Sequence, residues 1–194
     1  MADAVVVKIG GSLTDHIDPI IAVLHHSRRP ALIVPGGGKC AQLIRELGME
    51  GDAAHWMAVC AMEQFGWLIS AKGVTPISKL HVPSGLAVLL PYLPLLQADP
   101  LPHTWEFTSD TIAAWVASSL GLDLIVLKSV DGINENGILK ERLCEVITTD
   151  VVDSSFLPYV LAHRVNVVII NGRHPKRLEA YLQGNSVPST TIGF

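Results

Sequence analysis

Two kinds of hydrophobic segment alternate along the chain. Short, β-branched runs occupy residues 5–9, 31–34, 87–90, 124–127 and 167–170, and few of them alternate with polar positions. Strands that are apolar on both parities are strands with both faces covered, which predicts a buried, parallel-rich sheet. The intervening stretches read as helices. Asp18-Pro19 has the form of an N-cap followed by proline at the first helical position, and residues 108–120 and 175–183 carry apolar side chains at helical spacing. The alternation predicts one domain over 1–194, a three-layer αβα sandwich around an open, mainly parallel central sheet, with an antiparallel hairpin around 75–90.

Two segments depart from this pattern. Residues 53–70, AAHWMAVCAMEQFGWLIS, hold one acidic side chain, Glu63, and are apolar around most of a helical circumference. Such a helix belongs in the core, or presents Trp56, Met57 or Trp67 to a second subunit of a homodimer or higher homo-oligomer. Residues 89–105, LLPYLPLLQADPLPHTW, are broken by spaced prolines and predict a long extended connection, a kind of loop that often carries function.

Composition narrows the class. The 194 residues are 49% hydrophobic and 16% charged, with a formal charge of -4, which argues against disorder and against nucleic acid or an anionic membrane as main partner. The N-terminal MADAVVVKIGG has no basic leader and reaches Lys8 after a short apolar run, so neither a secretion signal nor a membrane span is expected. Cys40, Cys60 and Cys144 lack metal-like or CxxC spacing, and a reducing cytoplasm is the expected setting.

Three glycine-bearing segments follow predicted strands: KIGGS at 8–12, VPGGGK at 34–39 and VDGI at 130–133. In an open α/β sheet the loops leaving strand C-termini form the ligand crevice, so the three are expected to meet. A solvated turn has no use for a cation at the strand's end. Lys8 therefore suggests an anion, with Gly10 and Gly11 allowing backbone N–H groups close to a phosphate. GGGK is not a P-loop, because the GxxxxGK[ST] spacing is absent and Cys40 stands where a hydroxyl is needed. Thr108, Ser109 and Asp110 open a helix, where they serve as a cap or where Asp110 orients Lys8.

The order of KIGGSL, PGGG, TSD at a helix start, VDGI and the NG of NGRHP resembles the amino acid kinase superfamily over nearly the whole chain. The resemblance implies an ATP-dependent kinase fold in which Lys8 bridges the transferred phosphoryl group and Gly10, Gly11 and Ser12 cradle ATP phosphates. Lys128, Ser129, Asp131, Gly132, Ile133 and Lys140 would contact nucleotide, and Asp110 would hold the catalytic lysine. Gly36, Gly37, Gly38, His55, Trp105, Thr108 and Ser109 would face the acceptor. Mg²⁺ would arrive on the nucleotide phosphates, with no metal held by the protein alone. The superfamily's second catalytic lysine is missing from residues 153–161, which leaves Lys128 or Lys140 as a substitute, or a catalyst that depends more on metal.

AHWMAVCAMEQFGW, HTWEFTSD and NGRHP resemble a branch whose acceptor is a small phosphate monoester bearing an aminomethylfuran. Such an acceptor is already an anionic nucleophile, so the site needs charge neutralisation rather than a general base. Its ammonium would require a carboxylate, with Glu63 and Glu106 as candidates. The alternatives are an isopentenyl phosphate or carboxylate kinase of the same fold, and a non-catalytic nucleotide-binding or storage module.

Overall fold

A computed structural model describes residues 4–193; the first three residues of the N-terminal segment read for a leader lie outside it. Its centre is an eight-stranded sheet ordered β3-β4-β2-β1-β5-β9-β10-β8. The strands are β1 (Val5–Ile9), β2 (Ala31–Pro35), β3 (Thr75–Ile77), β4 (Leu86–Leu89), β5 (Asp123–Lys128), β8 (Arg142–Leu143), β9 (Val167–Asn171) and β10 (Ser189–Ile192). Strands β3 through β9 in that order run parallel, and β10 turns antiparallel against β9. A separate hairpin, β6 (Asn134–Glu135) with β7 (Ile138–Leu139), follows β5.

Strand parity divides the core in two. Val6, Leu124 and Val126 pack with α5 (Ser109–Leu120) and α6 (Phe156–Ala162) on one face. Val5, Val7, Ile125 and Leu127 pack with α1 (Ile17–Ser27) and α7 (Pro175–Leu182) on the other. Consecutive side chains of one strand thus enter opposite clusters, which is why these runs do not alternate with polar residues.

The long helix α3 (Gly51–Ser70) sends Val59 and Met62 into the first cluster and Phe65 and Ile69 into the second. Its broad apolarity follows from touching both. Met57, Trp67 and Leu68 remain exposed. Trp56 does not face outward: its ring meets Tyr92 edge-on at 6.0 Å within the same chain.

Three local expectations are corrected. The 75–90 segment is not an antiparallel hairpin, because β3 pairs parallel with β4, Thr75 opposite Ala87. With strands this short, the connection 78–85 can return along their whole length. The proline-rich 89–105 segment is not extended throughout, since α4 (Tyr92–Ala98) occupies its middle. Pro94 sits in that helix's first turn, where its missing N–H is not required, and Glu63 accepts the Tyr92 N–H at 2.8 Å. Helix α1 begins at Ile17, preceded by a 3-10 turn over Gly11–His16, so Asp18 and Pro19 lie inside its first turn rather than at its cap. Among the described residues no helix is long and apolar enough to cross a membrane.

Candidate active site

Parity also builds the site. Lys8 shares the face of Val6, and Lys128, at the last position of β5, shares that of Leu124 and Val126. Both side chains therefore rise on the side covered by α5, whose second residue is Asp110. The carboxylate bridges the two lysines. Lys8 Nζ lies 2.6 Å from Asp110 Oδ1, and Lys128 Nζ donates to Oδ2 at 2.6 Å.

Lys8 and Asp110 are almost wholly buried, with side chains 3% and 5% exposed. Burial pushes the Lys8 ammonium down to about 8 against the attraction of Asp110. It would raise the Asp110 carboxyl, but the charges of Lys8 and Lys128 outweigh it and hold that carboxyl at about 2. The result is one net positive charge in a dry place.

Asp110 is not the helix cap. That work falls to Asp153, whose Oδ2 accepts the Thr108 N–H at 3.0 Å, the Thr108 hydroxyl at 2.8 Å and the Thr111 N–H at 3.1 Å, while Oδ1 takes the Thr111 hydroxyl. An acid thus stands in the segment where a second lysine was sought, and it fixes the helix start that carries Asp110.

The glycine loops after β1 and β2 converge beside Lys8. A Cβ on Gly10 would sit 3.6 Å from Lys8 Nζ and 3.7 Å from Ser12 Oγ, which sets the ammonium over that loop. A Cβ on Gly11 would come within 2.2 Å of the Gly38 Cα, and one on Gly36 within 2.9 Å of the Gly11 nitrogen. The glycines are needed first so that the two loops can touch each other.

Beyond this contact opens a cleft of about 660 Å³ between α2 (Gly38–Glu46), α3 and the segment leading into α5. Gly37, Gly38, His55, Trp105, Thr108 and Ser109 all line it; Gly36 lies just behind, buried under the loop contact. Val59, Met62 and Ile112 give it an apolar floor.

Sequence reasoning missed several of its side chains. Arg45 lies over the Trp105 ring at 4.5 Å, and the Trp105 indole donates to the Met49 carbonyl at 2.9 Å. Glu46 is the carboxylate lining the cleft, bonded to Gln42 at 2.9 Å, whereas Glu63 and Glu106 are not among the lining residues. His103 stacks on His55 with ring centroids 4.0 Å apart. Burial and the neighbouring His103 charge lower the His55 imidazole, while hydrogen bonding to Asp52 raises that of His103. No short motif joins these residues, which come from four separate segments.

The loop after β5 is held differently from expectation. Asp131 Oδ1 accepts from Asn171 at 2.7 Å and forms an ion pair with Arg177 at 2.5 Å. Ile133 is buried and donates its N–H to Thr190 Oγ1 at 2.8 Å, and Gly132 packs so closely that a Cβ would lie 2.4 Å from that hydroxyl. Asp131, Gly132 and Ile133 therefore tie the loop down, while Lys128 reaches Asp110 and Ser129, next to it in the chain, is half-buried. Lys140 is paired with Glu135 at 2.5 Å across the β6–β7 hairpin and does not reach Asp110. Of the two candidates for a second cation, Lys128 is the one brought to the site.

Comparison with known proteins gives a consistent set. No family model matches the chain. It is 27% identical to [5-(aminomethyl)furan-3-yl]methyl phosphate kinase of Methanocaldococcus jannaschii, covering 92% of this chain and 93% of that protein. It is 23% identical to acetylglutamate kinase of Edwardsiella ictaluri, covering 95% and 97%. Among solved structures, UMP kinase from Ureaplasma parvum superposes with a TM-score of 0.76 at 18% identity, covering 100% of each chain. An isopentenyl phosphate kinase superposes with a TM-score of 0.71 at 15% identity, covering 97% of this chain and 100% of that one.

Proposed function

We propose that this chain, an ATP-dependent kinase of the amino acid kinase superfamily, converts [5-(aminomethyl)furan-3-yl]methyl phosphate to its diphosphate, a step of methanofuran biosynthesis. The observation that carries the kinase chemistry is the Lys8–Asp110–Lys128 bridge beside a glycine loop. The acceptor is carried by the likeness to the methanocaldococcal protein over nearly the full length of both chains.

An acceptor phosphate needs no base to become a nucleophile, so the site's task is to bring two anions together and offset their charge. Lys8, set over Gly10, bridges the phosphoryl group in transfer. Lys128 supplies the second cation from the end of β5, in place of a lysine in residues 153–161. Asp110 keeps both ammonium groups aimed and charged despite burial. Gly10, Gly11 and Ser12 contact the ATP phosphates, and Gly36, Gly37 and Gly38 face the acceptor phosphate. Mg²⁺ bound with ATP supplies further positive charge; among the described residues no group of three or more His, Cys, Asp or Glu is gathered to hold a metal.

The acceptor's ammonium lies at the far end of the cleft, where Glu46 is the carboxylate to pair with it. The setting is cytoplasmic, where Cys40, Cys60 and Cys144 stay free thiols. The chain works as a dimer through exposed Met57, Trp67 and Leu68, and light scattering at tens of micromolar tests that pairing.

A coupled ADP-release assay decides the acceptor. The aminomethylfuran phosphate should exceed isopentenyl phosphate in kcat/KM by roughly two orders of magnitude, and Glu46→Gln should shrink that ratio without altering the KM for ATP. Equal use of both acceptors would favour the isopentenyl reading. No turnover with either, despite ATP binding, would favour a non-catalytic module.

A further inference from the structure

His103 lies in the segment between α4 and α5 and holds a carboxylate on each ring nitrogen. Its Nδ1 is 2.7 Å from Asp52 Oδ1, in the first turn of α3, and its Nε2 is 2.8 Å from Asp99 Oδ1, at the C-cap of α4. A neutral imidazole has a single N–H and can donate to only one of these oxygens; serving both takes the imidazolium. The groups facing it are Asp52, His55 and Trp56 from α3 and Asp99 from the end of α4.

This cation closes a three-way junction. It ties the segment 99–108 to the first turn of α3, and its flat face lies against His55 at 4.0 Å with 17° between the planes. Two residues on, Trp105 is anchored to the Met49 carbonyl, and Thr108 begins the hydrogen bonds to Asp153. The segment is thus pinned at its start, middle and end, and its start depends on a proton.

We propose that His103, as an imidazolium clamped between Asp52 and Asp99, is the positioning residue that sets the acceptor wall of the cleft by fixing both the 99–108 segment and the ring of His55. The assignment rests on the cleft being the acceptor site of the proposed kinase. Its substrate-free signature is independent of which acceptor is used. Hydrogen bonding to Asp52 and Asp99 raises His103, so the clamp is intact below the ordinary imidazole range and opens as the pH passes the raised value.

Two measurements test it on the full chain. Imidazole NMR of the substrate-free protein should show His103 titrating above an ordinary imidazole, with both ring nitrogens protonated below that point, and Asp52→Asn or Asp99→Asn should lower its titration point. In steady-state kinetics at fixed pH, His103→Gln should raise the KM for the acceptor about tenfold while kcat and the KM for ATP stay within about twofold. A His103 that titrates no higher than an ordinary imidazole overturns the clamp. An intact NMR signature with unchanged acceptor KM in the variant overturns the positioning role. If no phosphorylated acceptor is turned over while the NMR signature holds, the proposed kinase function fails; the positioning role is then judged by hydrogen exchange, where His103→Gln must speed exchange across 99–108 or the role falls.

Discussion

Two regions of the molecule carry mirror-image charge arrangements. Beside the glycine loop a carboxylate is held between two ammonium groups, Lys8 and Lys128 around Asp110; on the wall of the cleft a ring cation is held between two carboxylates, Asp52 and Asp99 around His103. The decisive difference is water. Lys8 and Asp110 are 3% and 5% exposed at their side chains, while Asp52 and Asp99 are 86% and 58% exposed. A dry charge cluster acts as a rigid unit, and losing its one carboxylate leaves the ammonium groups uncompensated. A wet cluster is screened, weak and adjustable. The first kind of site suits the proposed phosphoryl chemistry, and the second the proposed positioning of the acceptor wall.

The sharpest way to break the contrast is Asp110→Asn. It leaves the buried Lys8 ammonium and the partly buried Lys128 ammonium without a counter-charge, so stability should fall by about 3–5 kcal/mol and turnover should collapse as well. Urea unfolding followed by coupled kinetics reads both. On the sequence alone, an Asn that keeps a helix cap while removing the charge that orients Lys8 gives a normally folded, slow variant; with Asp153 as the cap and Asp110 bridging two lysines, folding is expected to suffer too.

Lys8→Ala should keep the fold, since Asp110 retains Lys128, yet lower turnover by roughly a hundredfold or more. Circular dichroism with steady-state kinetics checks it, and near wild-type turnover would remove Lys8 from the chemistry. Lys128→Met should lose on the order of tenfold to a hundredfold, and Lys140→Met almost nothing. That pair of variants separates the cation at Asp110 from the one on the hairpin.

A smaller effect appears against pH. Lys8 is depressed to about 8, so turnover should fall above about 8 as its charge is lost. Stability moves the other way. The folded chain sheds this proton before the unfolded chain does, so the burden of burying the ammonium is present below about 8 and is relieved between there and 10.5. Parallel activity and melting profiles should diverge over this window. The smallest effect is salt: raising KCl should relax the His103 titration toward its ordinary range while leaving the alkaline limb of turnover in place.

The sheet was legible because both-face burial imposes an unbroken apolar run, and runs such as 5–9 and 124–127 could serve no other element of that length. Lys8 and Asp110 were legible because a lysine ending a buried strand and an acid opening a helix both demand a reason. Other features were hidden by distance along the chain. Asp153 lies 45 residues from Thr108 and His103 lies 51 from Asp52, so their roles exist only once α6 and α3 have docked. The prolines near α4 misled because the rule against proline in helices lapses in a first turn.

The contact between Gly11 and Gly38 has a thermodynamic side. A methyl group at Gly11 would overlap the Gly38 backbone at 2.2 Å, where no flexible side chain can yield. The loop proposed to hold ATP and the loop proposed to face the acceptor are therefore in direct backbone contact. Should occupancy of one loop alter the other, linkage makes the effect reciprocal: the factor by which ATP changes the acceptor's affinity equals the factor by which the acceptor changes that of ATP.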